Sequence, residues 1–313
     1  MIEVRDLTKR YGETTAVSGL TFTVRPGIVT GFLGPNGSGK STTMRMILGL
    51  DSPTSGDVTV NGRHYADHPA PMSEVGALLE ARSVHTGRSA RDHLLALAQT
   101  HGIGRARVGE VLDLVGLHEV ARRRVGGFSL GMGQRLGIAA ALLGDPRTVL
   151  MDEPVNGLDP EGIRWVRELL KGLAAEGRTV FLSSHLMSEM ALTAEHLIVI
   201  GRGRLIADLS LEEFVQRHSA QIVRVRSPQA AQLGELAVAD GANVKTLGAQ
   251  ALEIEGVAAA RIGELAAREQ IVLHELVAEQ VSLEDAFMSL TKDAVQFGAS
   301  PDAVRPAPQE VAA

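Results

Sequence analysis

The chain has no cysteine, which excludes disulfides, thiol catalysis and any zinc site that depends on Cys ligands. Aromatic residues are scarce, at 3%, with one Trp and two Tyr, so a tyrosine beside a motif stands out. An excess of positive charge is also missing. Lys and Arg total 31 against 37 Asp and Glu, giving a net charge of −6. A protein that clamps nucleic acid over a broad face is usually basic, so DNA and RNA are disfavoured partners. Long apolar runs are lacking too. The longest stretch without Asp, Glu, Lys or Arg, Pro26 to Gly39, has 14 residues and is broken by Gly and Pro. A membrane-spanning helix needs about 20 apolar residues. Met1 to Asp6 is charged at once and has no signal-peptide core, so a cytoplasmic protein is expected.

What is present is an ordinary globular balance, 44% hydrophobic and 22% charged, in 313 residues. That length exceeds one usual compact domain and predicts a large domain plus a smaller one. Residues 1 to about 66 alternate short β-like runs with turns, and Val29–Leu33 reads as a buried strand. Apolar residues at three- and four-residue spacing predict helices over 88–101, 105–115 and 130–143. Strand-like runs at 148–151, 179–183 and 196–200 then alternate with helical ones at 161–176 and 186–194. This order predicts an α/β fold around a mainly parallel sheet, with an antiparallel β region and a helical subdomain at about 85–145. The character changes around 209–220. Beyond it the order is strand (222–226), helix (228–239), strands (243–247 and 251–255), helix (257–269) and strand (271–277). That βαββαβ series fits a small ferredoxin-like α+β domain, followed by a short helix near 282–291. The expected domains are 1–210 and 211–292, with a Pro/Ala-rich tail at 293–313 expected to be disordered.

Two motifs carry chemistry. Gly34-Pro35-Asn36-Gly37-Ser38-Gly39-Lys40-Ser41 matches G-x-x-x-x-G-K-[ST], and Thr42 follows. Glycines let successive backbone N–H groups curl around phosphate oxygens, and the following helix points its positive end at them. Lys40 is placed to reach the β- and γ-phosphates and Ser41 to ligate Mg²⁺. Strand-like Val149-Leu150-Met151 ends in Asp152-Glu153. A carboxylate there suits Mg²⁺ binding, and the next one suits activation of the attacking water.

Together with Asn156-Gly157-Leu158-Asp159 and Ser184-His185, these motifs resemble the nucleotide-binding domain of ATP-binding cassette (ABC) transporters over residues 1–210. The resemblance implies ATP as ligand, Mg²⁺ as cofactor and P-loop NTPase architecture. It implies that Tyr11, with Val17 nearby, stacks on adenine, that His185 contacts the γ-phosphate, and that Asp159 communicates between subunits. The family signature Leu-Ser-Gly-Gly-Gln becomes Phe128-Ser129-Leu130-Gly131-Met132, which keeps Ser129 and Gly131 as phosphate ligands. Ser129 also suits a helix N-cap. Glu80 stands where the family has a glutamine facing Mg²⁺ and water, so it is a candidate metal ligand that predicts slower or more tightly gated hydrolysis.

Val75 to Glu80, Thr86-Gly87-Arg88, Phe128 to Arg135 and Ser282 to Phe287 are similar to drug and peptide-antibiotic exporters of the daunorubicin- and bacitracin-resistance type. The resemblance implies two copies closing head to tail on two ATP molecules. It also implies a separately encoded transmembrane permease that holds the chain at the inner face of the cell membrane. Two alternatives stand beside it: a soluble ABC ATPase acting on nucleic acid or ribosomes, and a non-hydrolysing ATP-dependent regulatory module. Arg122-Arg123-Arg124 is a charge run that either forms a solvated face or meets lipid headgroups or a partner.

Overall fold

Val29–Leu33 is buried at every position, as expected of a strand flanked on both sides in a parallel sheet. In the computed structural model, which describes residues 1–80, 84–218, 221–280 and 283–291, this strand is third in a series of short β elements. It follows β1 (Ile2–Tyr11) and β2 (Thr14–Val24) and is itself β3. Next come α1 (Lys40–Ile47), β4 (Ser55–Val60), α2 (Pro71–Glu74) and β5 (Val75–Leu78). A helical stretch contains α3 (Ala90–Thr100), α4 (Arg105–Leu114) and α5 (Leu130–Leu142). Strands and helices then alternate as β6 (Thr148–Asp152), α6 (Pro160–Ala175), β7 (Thr179–Ser184), α7 (Met187–Thr193), β8 (His196–Gly201) and β9 (Arg204–Ser210).

The six-stranded sheet runs β5-β6-β7-β3-β8-β9, with parallel pairing from β5 through β8. A separate antiparallel sheet, β2-β1-β4, lies against it. Phe22 of that sheet meets Phe32 and Phe181 of the larger one at ring-centroid distances of 5.7 and 5.9 Å. This aromatic wedge accounts for three of the seven Phe in the chain and welds the two sheets into one core. Register decides what the sheet does. Asp152 is opposite Ser183 and Leu33 is opposite Ser184, so the carboxyl ends of β6, β7 and β3 stop at one level. Ligands bind at such an edge in open α/β sheets.

The chain divides into two compact units, with residues 209–290 forming the second. That unit contains α8 (Leu211–His218), β10 (Gln221–Arg226), α9 (Ala230–Ala239), β11 (Asn243–Gly248), β12 (Ala251–Glu255), α10 (Ala259–Arg268), β13 (Glu275–Gln280) and α11 (Leu283–Thr291). The strand order β11-β12-β10-β13, antiparallel throughout, is that of a ferredoxin-like unit. Val223, Val225, Leu233, Ile254 and Ile262 centre its own core.

One boundary differs from expectation. The last strand of this unit starts at Glu275 instead of 271. Gln270 has a φ of 56° and the Ile271 N–H bonds to Ala266 O at 2.8 Å, so this segment closes the end of α10. Pairing begins only where Glu275 meets Arg226. Ser282 and the tail at 293–313 lie outside the described residues. Among the described residues no helix is long and apolar enough to cross a membrane.

Candidate functional site

The loop between β3 and α1 wraps a cavity of about 290 Å³ lined by Asn36 to Thr42, Ala16, Leu79, Asp152 and Glu153. Glycine is required in the wall. Gly39 has a φ of 104°, and a Cβ there would stand 2.6 Å from the Ala16 carbonyl oxygen. A Cβ on Gly34 would come within 2.4 Å of the Ile200 carbonyl. The Ser38 hydroxyl is buried without a hydrogen-bond partner, an orphaned donor that suits a phosphate oxygen.

Lys40 reaches back across the loop and donates to the carbonyls of Gly34 at 2.6 Å and Pro35 at 3.3 Å. Burial pushes its pKa below the ordinary lysine value, against the pull of Glu153 and Asp152. A buried cation facing two acids and an open cavity suits a bound polyphosphate. Ser41 Oγ donates to Asp152 Oδ2 at 2.6 Å, a contact that joins residues 111 apart in sequence. A hydroxyl beside a carboxylate is a pair of hard oxygen donors. Mg²⁺, which takes few protein ligands and completes its shell with water and phosphate, fits that pair. Among the described residues no cluster of three His, Cys, Asp or Glu could hold a metal by itself.

Glu153 has a φ of 49°, in the left-handed region, and its conformation is held from three sides. Its N–H donates to Ser183 Oγ at 3.1 Å, and the Ser183 hydroxyl in turn donates to Asp152. His185 Nδ1 lies 2.8 Å from Glu153 Oε1, the acceptor of the pair. Gln134, itself buried, donates to the carbonyls of Pro154 at 2.8 Å and Glu153 at 3.4 Å. The second carboxylate oxygen, Oε2, is buried without a hydrogen-bond partner.

Sequence reasoning did not single out Ser183 and Gln134. Ser183 immediately precedes Ser184-His185, and Gln134 is two residues beyond the signature. Their role depends on contacts across 30 and 19 residues, which no local pattern reveals. Replacing Gln134 with Leu leaves the buried Pro154 carbonyl unpaired, at a cost of about 1–3 kcal/mol. A lower kcat with little change in ATP Kd is the expected kinetic outcome. Equal kcat in the variant and wild type would show that Glu153 does not depend on this contact.

Other expected site residues fall elsewhere. Val17 is fully buried behind Gly39, and Ala16 takes its place in the cavity wall. Leu79 lines both the cavity and a second groove that also holds Arg45, whereas Glu80 lines the second groove alone. Glu80 is thus not among the residues that line the cavity with Ser41 and Asp152. Tyr11 is 49% exposed and does not line the cavity. Its hydroxyl donates to Asp51 at 2.9 Å and Lys9 Nζ sits 4.9 Å from its ring centre. Desolvation first, and then the Asp51 contact, raise the Tyr11 pKa. Ser129 caps α5 by accepting from Met132 N at 3.2 Å, and Asp159 caps α6 by accepting from Gly162 N at 2.8 Å. Neither residue lines this chain's own phosphate-loop cavity, and nor does Gly131. A Cβ on Gly131 would stand 3.3 Å from the Gly157 carbonyl, so the signature turn packs against the loop that follows Glu153.

A family model described as "ABC transporter" matches residues 17–156, and a domain of unknown function matches 221–284. The chain is 41% identical to the bacitracin transport ATP-binding protein BcrA of Bacillus licheniformis, covering 70% of this chain and 72% of that protein. It is 36% identical to YhcH, an uncharacterized ABC transporter ATP-binding protein of Bacillus subtilis, across 93% of this chain and 96% of that one. The solved dimer of the ATP-binding cassette MJ0796 in a post-hydrolysis state with ADP and Pi superposes with a TM-score of 0.62. It is 26% identical and covers 67% of this chain and 99% of that one.

Proposed function

The chain belongs to the ATP-binding, ATP-hydrolysing proteins of the ABC transporter family, and from that premise we propose that it powers export of a drug, peptide antibiotic or lipid-like compound. The observation that carries the reading is the junction of three chain segments at one strand edge. Lys40 and Ser41 from the loop meet Asp152-Glu153 from β6 and Ser183 and His185 from the end of β7.

The loop amides and Lys40 bind and orient the triphosphate. Ser41 and Asp152 would hold Mg²⁺, which would supply neutralisation of the phosphate charge. Glu153 takes the proton of the attacking water on its carboxylate as the water oxygen bonds to the γ-phosphorus and the bond to ADP breaks. His185 and Gln134 keep Glu153 in place for that transfer.

The second copy enters because Ser129 and Gly131 line no part of their own chain's cavity. In a head-to-tail pair they complete the partner's phosphate cradle, with Asp159 at the junction. Tyr11 remains the aromatic surface offered to adenine, with Lys9 beside its ring. The permease enters through a groove of about 510 Å³ rimmed by Arg45, Met72, Glu80, Val84, His93 and Leu97. Its apolar floor and mixed-charge rim suit an amphipathic cytosolic helix. Attachment to the inner face of the membrane follows from that docking.

Isolation of the tagged chain from detergent-solubilised native membranes with Mg-ATP tests the reading. A stoichiometric polytopic membrane protein is the expected companion. Recovery of ribosomes, nucleic-acid complexes or only soluble proteins would reject it.

A further inference from the structure

Outside the ATP site, five arginines lie on the segment that leads into α3 and the segment that precedes α5. Backbone hydrogen bonds zip them together. Arg91 N bonds to Ala121 O at 2.8 Å, Ala90 N to Arg123 O at 3.3 Å, Val125 N to Arg88 O at 2.9 Å and Gly126 N to Thr86 O at 3.0 Å. Ser89 and Arg124 form a β-bridge within this seam. Buried Ala90, Ala121 and Val125 anchor it from below. The seam brings the backbones of Arg88, Arg91, Arg122, Arg123 and Arg124 together, and all five residues are exposed.

None of these five side chains has a hydrogen-bond or ion-pair partner among the described residues. Carboxylates nearby are few. Asp92 is tied to the Ser89 hydroxyl at 2.6 Å, and Glu119 is exposed on the preceding turn. The positive field reaches inward: burial and then Arg88 lower the pKa of His93. In a chain of net charge −6 the cluster is a local exception.

We propose that this arginine cluster binds the anionic headgroups of a phospholipid bilayer. The position of the cluster rests on the permease reading. Val84, His93 and Leu97, from the same stretch as Arg88 and Arg91, line the groove assigned to the permease. A protein held there by a membrane subunit has this rim beside the bilayer. The chemistry favours lipid over a single fixed ligand. The arginines do not line that groove or the ATP cavity. They stand on open surface, where many mobile phosphates meet them without a prebuilt pocket. Such attraction is local, fading over about 8 Å at physiological salt.

The test uses the full chain alone with two vesicle types, pure phosphatidylcholine and phosphatidylcholine containing phosphatidylglycerol. Flotation with the anionic vesicles only, reversed by high salt, is expected. The combined Arg122→Gln, Arg123→Gln and Arg124→Gln variant is expected to bind roughly 100-fold more weakly, at about five-fold for each charge. Lysine at the same three positions restores binding. ATP turnover in solution stays at the wild-type level in both variants, which checks that they fold. Equal flotation with neutral and anionic vesicles, or unchanged binding by the glutamine variant, overturns the proposal. So does loss of the membrane partner with vesicle binding intact, since that assigns the arginines to an acidic segment of the permease. The ATPase and permease reading is judged separately, by turnover and by partner recovery from native membranes.

Discussion

Glu153→Gln is expected to lower steady-state ATP turnover by about 10²–10⁴-fold while ATP still binds. Glutamine keeps the shape of the side chain and its reach to His185, but it cannot take a proton from water. Its backbone contacts to Ser183 and Gln134 are untouched, so the loss falls on kcat. Removing one negative charge beside the γ-phosphate also favours the closed pair of subunits. Size-exclusion chromatography with ATP is expected to show a persistent dimer in the variant and a transient one in the wild type. Retention of more than a tenth of wild-type turnover would remove Glu153 from the role of base and open the site to another proton acceptor.

Lys40→Ala is expected to weaken ATP binding by about 10- to 100-fold, the range for a charge-assisted hydrogen bond. The change also leaves Asp152 and Glu153 without their nearest cation, which repels the triphosphate further. Isothermal titration with a slowly hydrolysed ATP analogue measures the loss. An affinity within two-fold of wild type would mean that the loop amides alone hold the phosphates.

The same residue sets a pH dependence. Burial lowers the Lys40 pKa in the free protein, and phosphates raise it in the complex. ATP therefore binds the protonated form more tightly. Affinity is level below the free-state pKa of Lys40 and falls as the pH rises through it. The fall starts below the ordinary lysine value of about 10.4. In Lys40→Ala this part of the pH dependence disappears. Folding stability moves the other way, because the unfolded chain binds the proton more tightly: the lowered pKa adds stability as pH rises.

The sequence by itself determined the ATP chemistry and the order of the elements. Gly34 to Ser41 and Asp152-Glu153 are legible because phosphate and Mg²⁺ binding demand particular residue types at short, fixed spacing. The buried strand Val29–Leu33, the Ser129 helix cap and the βαββαβ series are legible for a related reason. Local hydrophobic periodicity and capping chemistry need no knowledge of distant residues. Glu80 shows the limit of such reading. Its place in the family pattern suggested a metal ligand, whereas in the fold Glu80 lines a groove beside the cavity and not the cavity itself.

Tertiary structure alone decided how the Glu153 carboxylate is held. Strand register sets Asp152 opposite Ser183, and helix packing brings Gln134 beneath Glu153 and Pro154. It also gathered Arg88 and Arg91 beside Arg122 to Arg124, where the sequence displayed only a three-residue run. The physical reason is common to both cases. A hydrogen bond between segments far apart in the chain depends on register and packing, which are properties of the whole core and leave no local mark on the residues they join.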